Sequence, residues 1–282
     1  MLEKIQVRLI VLFLAAMSLY ATDPRRIVST APSITEMLFA LGLGSRVVGV
    51  TIYCKYPEAV LKLPKIGTFL KPDVEAIIAL HPDLVVVEKQ PNRLAEQLTR
   101  LHIRYVEVAN HNLEAVYAGA REIGKAAGAS AAAEHLVQTM QSQLQEIRLR
   151  TAGRAKPTVA FIVGHTAGRL EGLVAGAAKS YFSDLIQIAG GANIFADSAA
   201  PYPKISLEEI LSRNPDVILE LSGESRPKQD EVISLWQSRR SLRAVANARV
   251  FAIPSAAFLV PGPRAAEAAR TLLPLLHPEM QP

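Results

Sequence analysis

The chain has 282 residues, half of them hydrophobic and 20% charged, which excludes a disordered polymer and suits either two α/β lobes or one large α/β domain. A single cysteine, Cys54, rules out an intrachain disulfide and cysteine-cluster zinc or iron–sulfur sites. The formal charge of +5 is spread along the chain, with Arg25-Arg26 and Arg239-Arg240 its only adjacent arginines, so there is no nucleic-acid footprint.

In chain order, Lys4 and Arg8 precede an apolar run from Leu9 to Met17 and small or neutral residues up to Ala21, the pattern of a secretory signal over residues 1–21. Nine uninterrupted apolar residues fall well short of the roughly 20 that span a bilayer. No cysteine ends the run, so a freely soluble periplasmic protein is expected after cleavage. Short β-branched segments then alternate with helical ones, as in parallel α/β sheets. Strands are predicted at 27–29, 47–50, 84–87 and 105–108, with a helix at 33–41 carrying Ile34, Met37, Leu38 and Leu41 on one face and ended by Gly42. An uninterrupted helix is predicted over 130–152, with Ser130 as its cap, apolar residues at Leu136, Met140, Leu144 and Ile147, and Gly153 closing it. At about 1.5 Å per residue it is roughly 34 Å long, enough to bridge two lobes. Beyond it, strands are predicted at 158–163, 217–221 and 250–253 and helices at 179–189, 207–213 and 263–276. The expected organisation is a first lobe at 22–129, a rigid bridging helix at 130–152 and a second lobe at 153–282, each lobe Rossmann-like with a parallel-sheet core and a ligand cleft between them.

The halves repeat one another. Asp73-Val-Glu75 leads to Pro82-Asp83 and an apolar run, and Ser206-Leu-Glu208 leads to Pro215-Asp216 and another, the glutamate seven residues before the proline in both. Each copy reads as a short helix, a proline stop and a buried strand. Two similar lobes facing each other enclose a cleft, with ligands outside the carboxyl ends of the strands.

Several segments, taken together, resemble the exported substrate-binding proteins that feed cobalamin, ferric siderophores or haem to ABC importers. They are Arg26-Ile-Val-Ser-Thr-Ala-Pro-Ser-Ile-Thr-Glu36 with Phe39-Ala-Leu-Gly42, Val47-Val-Gly-Val with Tyr53-Cys-Lys-Tyr-Pro57, Pro64-Lys-Ile-Gly67, the two glutamate–proline–aspartate modules, and Pro261-Gly-Pro-Arg264. The resemblance covers the expected mature chain in order and is strongest toward vitamin B12-binding members. It implies a ligand held between the lobes, no resident cofactor, no catalysis, a monomer, and one exposed glutamate per lobe docking on arginines of the membrane permease. By position these are Glu75 and Glu208, each in the first turn of a short helix, where the helix dipole favours an ionised acid.

Aromatic residues are 6% of the chain, so those in loops after strands stand out as walls for a flat macrocycle. Tyr53, Tyr56, Phe69, Tyr202 and Phe258 are the candidates, with Pro32 and Ser33 after the first strand. Cobalamin-binding members have aromatics at the places of Tyr53, Phe69 and Tyr202, whereas Glu88 stands where another aromatic is expected. A ferric siderophore calls for converging arginines, and these loops offer Lys55, Lys71, Lys89 and Lys204 instead. Haem calls for an axial His or Tyr, and His165 after the strand at 158–163 is a candidate opposite Tyr53. A corrinoid ranks first, a siderophore second and haem third. Catalysis ranks below all three: Gly164-His-Thr166-Ala-Gly168 has the glycine spacing of a nucleophile elbow but a threonine at its centre, Gly42-Leu-Gly44 follows a helix, and HExxH and P-loop motifs are absent.

Overall fold

The computed structural model describes residues 23–90, 92–222, 229–254 and 258–280. The leader expected at residues 1–21 lies outside the described residues. Among these, the first lobe is built on β1 (Ile27–Ser29), β2 (Val47–Gly49), β3 (Leu84–Glu88) and β4 (Tyr105–Val108), paired in parallel in the order β2-β1-β3-β4. Parallel pairing requires crossovers that cover both faces of the sheet. Leu84, Val85, Val86 and Val87 are therefore buried in succession instead of alternating. The connecting helices are α1 (Pro32–Ala40), α2 (Val74–Ala79) and α3 (Leu94–Arg100), and α4 (Leu113–Ala127) follows β4. Pro32 occupies the first turn of α1, where its fixed φ and missing N–H cost nothing.

The bridging helix α5 (Ser130–Thr151) has 22 residues and is about 33 Å long. Ser130 was expected to be its cap, but Ala129 holds that position, and no side chain bonds the first amides. Ala129 has no side-chain oxygen to accept from them, and Ser130 already lies inside the helix. Gly128 closes α4 at φ +71°, and the Ala129 amide already bonds Gly124 O at 2.7 Å. Gly124 lets the two helices touch, since a Cβ there would stand 2.5 Å from Ala133 Cβ. The buried stripe of α5 is Ala133, Val137, Met140, Leu144 and Ile147, with Leu136 only partly covered.

The second lobe carries β5 (Thr158–Gly164), β6 (Leu173–Ala175), β7 (Ala192–Asn193), β8 (Lys204–Ile205), β9 (Val217–Ser222) and β10 (Val250–Pro254). Their order is β10-β9-β5-β6-β8, with β7 also paired to β5. β10, β9 and β5 are parallel, whereas β6 runs antiparallel to both β5 and β8, an extension that short, non-alternating segments did not reveal. Around the sheet lie α6 (Tyr181–Ile188), α7 (Leu207–Arg213), α8 (Gln229–Trp236), α9 (Arg243–Ala246) and α10 (Ala265–Leu276).

The repeat is realised in hydrogen bonds. Asp83 accepts from the amides of Arg25 and Arg26 at 2.8 and 2.9 Å, and Asp216 accepts from the amide and hydroxyl of Thr158 at 2.8 and 2.7 Å. In each lobe the aspartate thus ties the start of one strand to the neighbouring strand. His81 and Asn214, just before the prolines, share φ +43°, so the proline ends each helix through a left-handed residue. One apolar core runs from Ile27 and Leu38 through Val137 and Leu144 to Phe161 and Leu272, joining both lobes through α5 and α10. A wide swing of one lobe would expose part of that core to water, which favours limited rotation. Among the described residues, no helix is long and apolar enough to cross a membrane.

Candidate ligand cleft and docking surface

The loops after the carboxyl ends of the strands meet at the seam between the lobes. The Tyr181 amide donates to His111 O at 2.6 Å, and Asp184 accepts from the Leu113 amide at 2.8 Å, so α6 of the second lobe caps α4 of the first. Arg264, at the cap of α10, donates from Nε and Nη2 to the two carboxylate oxygens of Glu36 on α1, at 2.8 and 2.6 Å. This pair is largely buried, the Glu36 side chain being 4% exposed. Burial pushes the Glu36 carboxyl above its ordinary range, the bonds from Arg264 pull it back only in part, and Glu36 in turn raises Arg264.

On the first-lobe side, the loop after β2 is fastened to the segment around Phe69. Ile52 N donates to Gly67 O at 3.0 Å, and Gly67 sits at φ +83° where a Cβ would meet Lys71 O at 2.8 Å. Tyr53 and Phe69 meet edge to face, their centroids 5.8 Å apart. Between Tyr53 and Tyr56, Cys54 turns inward, its Sγ 3.2 Å from the hydroxyls of both Thr35 and Thr51. This leaves the two tyrosines outward, 42% and 54% exposed. Glu88 closes β3 half-buried, and burial raises its carboxyl despite bonds from Gln90 and Asn110. Asn110 also donates to Ser33 at 3.1 Å, while Pro32 is half-buried beside it.

On the second-lobe side, Tyr202 is exposed between Pro201 and Pro203, its ring edge-on to Phe182 at 6.1 Å. His165 follows β5, but both its ring nitrogens are engaged: Nδ1 lies 2.7 Å from Thr166 O and Nε2 3.0 Å from Glu220. An axial role would require breaking one of these bonds. Burial draws the His165 pKa down, and the bonds to Thr166 O and the Glu220 carboxylate more than reverse that, leaving it raised. Glu220 is itself buried in β9 and accepts from Trp236 Nε1 at 2.8 Å. Phe258, expected at the cleft, does not line it: at 1% exposure and 6.3 Å from Phe161, it packs into the core shared by both lobes.

The sequence reading gave Glu36, Arg264, Glu220 and Trp236 no role. A visible signal existed for two of them, since Glu36 and Glu220 each interrupt an apolar segment, and a carboxylate on a buried face needs a partner. Glu75 and Glu208 lie exposed at equivalent positions in α2 and α7, two residues past the capping Asp73 and Ser206.

The family profile described as periplasmic binding protein matches residues 27–257. The chain belongs to that family. The binding protein is 29% identical over 229 residues to a vitamin B12-binding protein of Yersinia pseudotuberculosis, covering 80% of this chain and 79% of that one. It superposes on the periplasmic vitamin B12 binding protein of Vibrio cholerae with a TM-score of 0.76 at 25% identity, covering 92% of this chain and 99% of the other. The periplasmic heme-binding protein of Roseiflexus sp. RS-1 gives 0.77 at 25% identity, with 91% and 99% covered. All three relatives are named for binding and none for catalysis.

Proposed function

We propose that the binding protein is exported to the periplasm, captures a corrinoid between its lobes and hands it to the permease of an ABC importer. The observation that carries this reading is the set of exposed aromatic rings on loops of both lobes. Tyr53 packed on Phe69 and the neighbouring Tyr56 come from one lobe, and Tyr202 braced by Phe182 comes from the other. Such rings grip a flat macrocycle by stacking and apolar contact without catalysis. The vitamin B12-binding relatives favour the same ligand. Delivery rests on Glu75 and Glu208, one per lobe, meeting a permease of opposite charge. Isothermal titration with cyanocobalamin tests the ligand: one-to-one binding weakened by Tyr53→Ala and Tyr202→Ala is expected, and no binding refutes the corrinoid.

Haem is the second reading, favoured by the heme-binding relative and by the exposed phenols of Tyr53 and Tyr56, either of which offers an axial oxygen. Absorption of the copurified protein separates the two coloured ligands in one spectrum. A siderophore ranks behind them here, because Arg264, the arginine at the seam, is committed to Glu36.

A further inference from the structure

Arg264 does more than close an ion pair. Its guanidinium meets the Glu36 carboxylate edge-on through two parallel hydrogen bonds, which fixes the orientation of the guanidinium plane. The Tyr56 ring lies against this group, its centroid 4.6 Å from the Arg264 carbon. Tyr56 belongs to the first lobe and is more than half exposed, on a loop tied down by the bonds of Ile52 to Gly67 and Cys54 to Thr51. Arg264 belongs to the second lobe. A side chain of one lobe therefore supports an aromatic ring of the other, and the support depends on a carboxylate buried in α1.

We infer that Arg264 is a positioning residue that orients Tyr56 across the lobe seam, so that the first-lobe aromatic wall is complete only while the second lobe is seated against it. The inference deepens the proposed function by naming how lobe geometry reaches the ligand wall, and its ligand half rests on that reading. A plain ion-pair role and a positioning role differ in what lysine can replace. Lysine supplies charge to Glu36 but has no planar face and no two-bond fork. A structural ion pair is thus rescued by Arg264→Lys, and the positioning of Tyr56 is not.

The test begins in the free protein with amide hydrogen exchange over residues 51–57. Arg264→Lys is expected to melt within a few degrees of the parent yet to speed exchange in this loop several-fold, while the Tyr202 loop stays unchanged. Unaltered exchange at 51–57 overturns the inference whatever the ligand proves to be. The second arm measures cyanocobalamin affinity in Arg264→Lys, Tyr56→Ala and the double variant. Each single change is expected to weaken binding on the order of tenfold, with the double no weaker than Tyr56→Ala alone. Additive losses overturn the coupling of Arg264 to Tyr56. A parent that binds no cyanocobalamin refutes the corrinoid reading, and the exchange arm then decides the positioning role by itself.

Discussion

Replacing Glu220 tests whether a buried carboxylate holds the second lobe together at the cleft rim. In Glu220→Leu, the indole N–H of the fully buried Trp236 loses its 2.8 Å acceptor, and His165 loses its partner at 3.0 Å. A buried donor left unsatisfied costs about 1–3 kcal/mol, and loss of a charged hydrogen bond a comparable amount. The His165 side chain is 17% exposed and recovers part of its loss from water, so the net cost is about 2–4 kcal/mol. That corresponds to a drop in melting temperature of roughly 5–15 °C for a chain of this size. Glu220→Gln is milder, about 1 kcal/mol, because the amide oxygen still accepts from the indole while its NH2 donates to neutral His165. The pH dependence follows from the raised His165 pKa. Its contribution to stability is fully present below about pH 6.5, the unfolded value, and is lost as pH rises through the higher folded value. Trp236 is the only tryptophan in the chain, so its fluorescence reports this site directly in thermal melts and pH titrations. The parent is expected to titrate above pH 6.5, Glu220→Gln to move that titration to lower pH, and His165→Asn to give a flat profile. Equal melting temperatures for the Leu and Gln variants, or a titration that survives His165→Asn, would refute the reasoning.

At the lobe seam, Arg264→Met strands the buried Glu36 carboxylate and is expected to cost about 3–5 kcal/mol, whereas the double change Glu36→Met with Arg264→Met stays within about 1 kcal/mol of the parent or exceeds it. Urea unfolding checks this, and equal costs for single and double variants contradict it. Burial pushes the Asp216 carboxyl up, but bonds from Thr158 and the charges of Arg243 and Arg249 more than reverse that and lower its pKa. The stability it adds is present above about pH 4 and disappears as pH falls through its lower folded value, so Asp216→Asn is destabilising at pH 7 and nearly silent in acid melts. Charge reversal at Glu75 or Glu208 to lysine leaves folding within about 0.5 kcal/mol and ligand affinity unchanged, because both are exposed helix-start acids. Uptake with limiting permease is expected to fall at least about tenfold for either variant and further for both, and normal uptake removes the docking role.

Local chemistry wrote much of the architecture into the chain. Apolar runs bounded by proline and aspartate marked β3 and β9, and Pro82 and Pro215 marked the ends of α2 and α7, the extent of α7 at 207–213 being read to the residue. The helix at Ser130–Thr151 was legible because its 3.6-residue period runs unbroken, although its cap was misread. Exposed aromatics in loops were legible too, since each sits between turn residues. What the chain did not show is which polar groups would be buried together. Arg264 and Glu36 are 228 residues apart, and nothing local to either marks the other as its partner. His165 was legible as a candidate axial ligand but its partner was not: Glu220, 55 residues later, is placed beside it by the pairing of β5 with β9. Phe258 looked like a loop aromatic until the core closed around it. Helix caps, turns and periodicity act between residues a few positions apart and so leave a mark in sequence, whereas a buried charge is matched only where two sheets and a bridging helix bring distant segments out of water together.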